Sequence, residues 1–178
     1  MRRFAAIPLL LLLVPTLHAQ ANKREPLTEV QHDQIAEAGV DPPARILLYV
    51  KFLNEHAETI QGLIKRAHSA ARAKRMDDEI GDFTALMDEL GDNLDTYASR
   101  KADLRRSLKE LNEGVVRWQT LLRNLPSEPG FEVSLKESVE SSNDLADQVK
   151  QVTSDQDAYF KAHPDEKNQD RWEPKGSQ

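Results

Sequence analysis

The chain has 178 residues, a net charge of −6 and no cysteine. The lack of cysteine excludes disulfide bonds, iron–sulfur clusters, thiolate zinc sites and a cysteine nucleophile. The acidic balance argues against a nucleic-acid partner, because contacts to phosphates need a basic face.

The first residues have the order of a secretory signal peptide. A basic start is followed by an apolar run over residues 7–14 and by small residues at Ala19 and Ala21. This order predicts a signal peptide over residues 1–19, with cleavage after Ala21 as the alternative. The apolar stretch is shorter than the roughly 20 residues that span a bilayer, and no cysteine follows it for lipid attachment. We therefore expect a secreted or periplasmic protein with no stable membrane insertion after cleavage.

A short helix is expected over residues 28–38, after a disordered N-terminus over residues 20–26. Thr28 and Gln31 have the spacing of a capping box, and the helix ends at Gly39.

The first long helix begins at Asp41, which can cap it, with Pro42 at the first helical position. Its apolar residues recur in steps of four and three, as in the seam of a coiled coil. The seam consists of Ile46, Val50, Leu53, Ala57, Ile60, Ile64, Ala67 and Ala71. The phase is lost beyond this point, which predicts a turn between Ala71 and Asp77, although the segment lacks glycine and proline and could remain helical.

A second long helix is predicted from about Asp77 to Asn124, because its seam alternates in steps of three and four without a slip. The seam consists of Ile80, Phe83, Met87, Leu90, Leu94, Tyr97, Lys101, Leu104, Leu108, Leu111, Val115, Trp118, Leu122 and Leu125. Pro126 ends the helix. The alternative is a break at Gly91 to Asn93, which would turn a rod into a more compact four-helix bundle.

Lys101 interrupts this apolar seam. A lone polar residue there usually sets register or oligomeric state at a cost in stability, so Lys101 is a possible partner or register position. Alternatively, its four-carbon stem lies along the core and its ammonium group reaches water. Replacement by Leu is expected to stabilise the helices, and to change the mass of the assembly only if Lys101 specifies a partner.

A third helix is predicted from about Phe131 to Phe160. Its core stripe consists of Leu135, Val139, Ser142, Leu145, Val149, Val152, Gln156 and Tyr159. Residues 163–178 are polar and contain prolines, so we expect a disordered C-terminal tail. The predicted fold is all-α: an elongated antiparallel helical bundle over residues 27–162, with three long helices, a short N-terminal helix and coiled-coil-like heptad seams.

The distribution of charge favours antiparallel pairing. Residues 77–95 carry acidic side chains and no base, whereas residues 65–75 carry bases and no acid. We expect these two runs to face each other across the first hairpin. The acidic third helix should likewise fold back on the basic half of the second, over residues 100–123, because opposite charges discourage wrong registers.

The sequence contains no phosphate-binding loop, no dinucleotide fingerprint, no nucleophile elbow and no metalloprotease motif. Glu29 and His32 form half of the di-iron helix-bundle pattern, and no second copy exists. We therefore expect no enzymatic activity, no cofactor, no metal site and no small-molecule ligand.

The string Leu27-Thr28-Glu29-Val30-Gln31 resembles the LTxxQ motif of the periplasmic stress chaperones related to Spy and CpxP. Those proteins are small secreted helical hairpins that dimerise into a curved cradle, and they carry two copies of the motif where this chain has one. The resemblance implies a chaperone-like binder of non-native proteins.

Two functional classes follow from these patterns. The first is a non-enzymatic helical protein of the cell envelope that acts through protein–protein interaction or as a structural component. The second is the periplasmic chaperone-like binder, which would hold its clients with apolar side chains outside the seams. Those side chains are Leu47, Leu48, Phe52, Leu63, Leu86 and Leu121. Some of them must be buried by a third helix or a second chain, so we expect self-association or a protein partner.

Overall fold

The structure, a computed structural model, describes residues 25–167. Within this range every regular element is helical and the helices pack against one another, which confirms the all-α class and the bundle-like arrangement. The α-helices are α1 (Glu29–Glu37), α2 (Pro42–Ile64), α3 (Ala70–Ser99), α4 (Arg105–Asn124) and α5 (Glu132–Ala162). A short 3-10 helix, Pro164–Glu166, follows α5.

The four longer helices form a closed ring of contacts. Helix α2 packs against α3 and α4, and α5 packs against the same two helices. Tyr49 of α2 donates a hydrogen bond to Glu89 of α3. His56, further along α2, contacts Glu79, which is earlier in α3, so the two helices are antiparallel. Helices α3 and α4 therefore lie across a diagonal of the bundle, although they are consecutive in the chain.

The buried indole of Trp118 in α4 joins three helices at the centre of the bundle. Its ring meets Phe83 of α3 edge to face, with the ring centroids 6.0 Å apart, and its Nε1 donates to Asn54 Oδ1 of α2 at 2.9 Å. A Cβ atom added at Gly114, one turn earlier, would lie 2.9 Å from the indole. The absence of a side chain at Gly114 thus gives the indole its place in the core.

The predicted continuous helix from Asp77 to Asn124 is wrong, because α3 ends at Ser99 and α4 begins at Arg105. Lys101 adopts a φ of 61° in the connecting turn. The amide of Lys101 donates to Ala98 O at 3.0 Å and that of Ala102 to Tyr97 O at 3.2 Å. These two bonds are the Schellman pattern that ends helices, here with lysine where glycine is usual.

A contact from α5 holds the turn between α3 and α4 in place. Gln156 is buried, and its amide group donates to Ala102 O at 2.6 Å and accepts from the Leu104 amide at 2.8 Å. The side chains of Ala102 and Leu104 are themselves buried. The apolar phase therefore passes through the break, which is why periodicity alone indicated an unbroken helix.

The alternative break at Gly91 to Asn93 is also wrong, because these residues lie inside α3. A Cβ atom at Gly91 would lie 2.9 Å from Gln148 Oε1 of α5. Gly91 therefore lies within α3 against the end of the Gln148 side chain, whose Nε2 donates to Gly91 O at 2.9 Å.

The first hairpin turns earlier than predicted. Helix α2 ends at Ile64, and α3 begins at Ala70 with Ser69 as its cap, whose hydroxyl accepts from the Arg72 amide at 3.1 Å. Ala67 and Ala71, the last two positions of the predicted first seam, are exposed. The predicted turn between Ala71 and Asp77 is therefore wrong, and the capping serine was the signal for the true boundary.

The remaining helix starts agree with the sequence signals. Thr28 and Gln31 form the capping box of α1, Gly39 follows it with a φ of 61°, and Asp41 caps α2. Residues 163–167, placed by the sequence in a disordered tail, instead contain the 3-10 helix, which contacts α5. The predicted signal peptide, residues 20–24 and residues 168–178 lie outside the described residues.

Candidate functional site

The two acidic helices, α3 and α5, lie side by side and parallel. Asp88 accepts a hydrogen bond from Ser141 Oγ at 2.6 Å. Asp95, two turns further along α3, accepts from Gln148 Nε2 at 2.7 Å, two turns further along α5. The acidic side chains of the two helices thus border one shared surface.

This arrangement differs in part from the predicted pairing of charges. The basic residues Arg72, Lys74 and Arg75 belong to α3 itself, so they do not face its acidic run from another helix. The acidic α5 does pack on the basic α4: Gln119 and Arg123 of α4 both donate to Asn143 of α5. The acidic side of α5 that faces away from α4 adjoins α3, where the charges have the same sign.

A groove of about 410 Å³ lies between α3 and α5, and we call it the acidic groove. It is lined by Met87, Asp88, Gly91, Asp92, Ser141, Asp144, Leu145 and Gln148. The side chains of Met87 and Leu145 are buried at its floor, whereas Asp92 and Asp144 are exposed. Neither of these two carboxylates forms an ion pair within residues 25–167. Like charges around a groove raise the local concentration of cationic groups, so this surface favours a basic ligand.

A second cavity of about 240 Å³ lies at the C-terminal ends of α3 and α5. Its lining consists of Ala98, Ser99, Lys101, Val152, Asp155, Gln156, Tyr159 and Phe160. We call it the Lys101 pocket. It shares no lining residue with the acidic groove.

Lys101, predicted to lie on a helical seam, is instead exposed in the turn between α3 and α4. Its ammonium nitrogen lies 5.1 Å from the centroid of the Tyr159 ring. The predicted seam position is therefore wrong, because the chain leaves the helix at this residue. The role of Lys101 towards a partner or in oligomerisation stays a prediction.

Two other polar clusters stabilise the fold. Arg72, with 3% of its side chain exposed, makes a bidentate contact to Glu128, at 2.6 and 3.2 Å, and so ties the loop between α4 and α5 to the start of α3. Burial, together with the hydrogen bond to Glu89, raises the pKa of Tyr49. Both clusters join elements of the bundle, and neither lines the two cavities described above.

The apolar side chains proposed to hold non-native clients lie largely inside the bundle. Phe52, Leu63 and Leu86 are at most 2% exposed, and Leu48 and Leu121 are half-buried against the core. Leu47 is also half-buried, but it is not among the residues packed against the core. Because the break at Lys101 provides a fourth long helix, this single chain covers the other five.

The string that resembles the chaperone motif anchors α1. Leu27 is buried in the core, Thr28 and Gln31 cap the helix, and Gln31 Nε2 donates to Glu55 of α2 at 3.3 Å.

The chain matches no protein-family model, no curated protein and no solved structure. Among residues 25–167, no helix has the length and apolarity to cross a bilayer, and no group of three or more candidate ligands could hold a metal ion.

The sequence did not single out Asp92 and Asp144 as candidate residues. The acidic runs that contain them are evident, but nothing in either run indicates that the two helices are neighbours. That proximity follows from the break after α3, which no glycine or proline marks.

Proposed function

We propose that this chain is a non-enzymatic, secreted or periplasmic helical protein, with coiled-coil-like packing, that binds a basic protein partner through the acidic groove. The observation that carries the proposal is the parallel contact between α3 and α5. It brings Asp88 and Asp92 of one helix to the same groove as Asp144 of the other.

The groove is suited to lysine and arginine side chains of a partner. Its carboxylates supply the opposite charge, which accelerates encounter and fixes orientation more than it adds affinity. Its floor, formed by Met87 and Leu145, offers an apolar surface for the methylene stems of such side chains. Contacts of this kind are weakened by salt, because the charges are exposed to solvent.

The chaperone-like alternative receives no support from a specific surface. Five of its six candidate client-binding residues lie in or against the core. Leu47 alone is half-buried outside that cluster, and one such side chain does not form an apolar surface for non-native chains. The secreted location rests on the predicted signal peptide. The absence of enzymatic activity rests on the lack of a catalytic motif in the sequence.

The proposal is tested with a fluorescently labelled oligolysine peptide as the probe. Fluorescence anisotropy is measured at about 0.1 M salt, where the screening length is about 10 Å. The double variant Asp92→Asn/Asp144→Asn removes two groove charges. Each exposed charge pair contributes about 0.5–1 kcal/mol, so loss of two pairs should raise the dissociation constant about five- to thirtyfold.

The matched control is the double variant Glu110→Gln/Glu113→Gln, which removes two exposed negative charges from α4. Its effect should stay below about twofold if the groove binds the peptide locally. Equal losses in the two variants would mean that the peptide responds only to net charge, and the proposal would then be wrong.

A further inference from the structure

The Lys101 pocket lies where α3 ends beside the continuing α5. Gln156 holds the backbone of the turn at Ala102 and Leu104. Helix α5 continues to Ala162, past the point where α3 stops at Ser99. The space left beside the last turns of α5 is the pocket of about 240 Å³.

The pocket combines an apolar floor with two opposite charges. Val152 and Phe160 are buried, and the Tyr159 ring is fixed by the Lys101 ammonium group and by stacking against His163 at 4.4 Å. Lys101 and Asp155 are the charged residues of the lining, and both are exposed.

The two charges do not neutralise each other. Within residues 25–167, Lys101 and Asp155 form no ion pair with each other or with another charged side chain. The Asp155 carboxylate accepts a hydrogen bond from the neutral amide of Gln151 at 2.9 Å. An unpaired cation and an unpaired anion therefore border the same apolar cavity, which is the pattern that complements a small dipolar ion.

Although the sequence motifs imply no small-molecule ligand, we propose that the Lys101 pocket binds a free α-amino acid with an apolar side chain. The ammonium group of Lys101 pairs with the ligand carboxylate, the Asp155 carboxylate pairs with the ligand ammonium group, and the apolar side chain lies against Val152 and Phe160. The size is adequate, because a cavity of about 150 Å³ accommodates a benzene ring. This inference does not depend on the acidic groove, since the two sites share no residue.

The test uses three related probes in calorimetric titrations of the purified protein: phenylalanine, 3-phenylpropionate and 2-phenylethylamine. The second lacks the ammonium group and the third lacks the carboxylate. Phenylalanine should bind saturably, and each single-charge analogue should bind about tenfold more weakly, because one charge-assisted contact is missing. Binding of 3-phenylpropionate as tight as that of phenylalanine would overturn the assignment of a dipolar ligand, as would the absence of saturable binding.

Substitutions in the Lys101 pocket test whether phenylalanine binds there. Lys101→Gln and Asp155→Asn should each weaken phenylalanine binding about tenfold, because each removes one charge from the pocket. The controls Lys136→Gln and Glu137→Gln make the same changes at exposed positions near the start of α5 and should leave binding unchanged. All four substitutions are at exposed positions and should preserve the fold. Equal effects in the pocket and control variants would show that the ligand binds elsewhere.

Discussion

The turn at Lys101 can be tested by comparing Lys101→Gly with Lys101→Ala. Both substitutions remove the contact between the ammonium group and the Tyr159 ring, so this contribution cancels in the comparison. They differ in the backbone conformation that they tolerate at a φ of 61°. An L-residue in this left-handed region costs about 1–2 kcal/mol, and glycine pays no such penalty.

The sign of the stability difference between the Gly and Ala variants distinguishes the turn from a continuous helix. In the observed turn, glycine loses about 0.5–1 kcal/mol of this advantage because it has more freedom in the unfolded chain. The Gly variant should therefore be more stable than the Ala variant by about 0.5–1 kcal/mol. In an unbroken helix the order reverses, because Ala is then favoured by about 1 kcal/mol.

Urea unfolding followed by circular dichroism gives the required comparison, since it reports the free energy of unfolding of each variant. Lys101→Leu extends the test: a side chain with a Cβ stays strained in the turn, so this variant should not gain stability. An Ala or Leu variant more stable than the Gly variant would refute the turn and restore the continuous helix.

Three further predictions follow. Leu108→Asp should cost several kcal/mol of stability because it buries a carboxylate, whereas Glu110→Ala, on the outer face of α4, should change stability by about 0.5 kcal/mol or less. Equal melting temperatures of the two variants would show that the core face is misassigned. Gly114→Ala should destabilise the protein by about 1–3 kcal/mol through its clash with the Trp118 indole, whereas Gly62→Ala, with open space around it, should stabilise α2 by up to about 1 kcal/mol. A gain in stability from Gly114→Ala would contradict the packing around the indole. Protein recovered from expressing cells should begin near Gln20 by N-terminal sequencing, and an intact first residue on soluble cytosolic protein would contradict secretion.

Local signals in the sequence predicted most helix boundaries. Thr28 with Gln31 and Asp41 with Pro42 mark helix starts through side-chain and proline effects that need no tertiary context. Ser69 carries the same kind of signal, but the apolar spacing that continues to Ala71 predicts a later boundary.

The turn after α3 could not be predicted in the same way. Lys101 occupies a backbone conformation that favours glycine, and the turn depends on Gln156, which is distant in sequence. The neighbouring Ala102 and Leu104 are buried, so they maintain the apolar spacing through the turn. The acidic groove could not be predicted for the same reason, because α3 and α5 become neighbours only when the chain breaks at Lys101.

The parallel contact of α3 with α5 is the basis of the proposed function, and one distance tests it. The chain contains no cysteine, so Asp92→Cys/Asp144→Cys allows two spin labels to be attached at the walls of the groove. Packed helices lie about 8–10 Å apart, so double electron–electron resonance should give a separation between the two spin labels below about 20 Å.

A continuous second helix would place the labels far apart. Residue 144 would then lie beside the region near Gln119, which is 27 residues from position 92, and a helix rises 1.5 Å per residue. A separation of about 40 Å would therefore contradict the parallel contact and the groove, whereas a separation below about 20 Å is the predicted result.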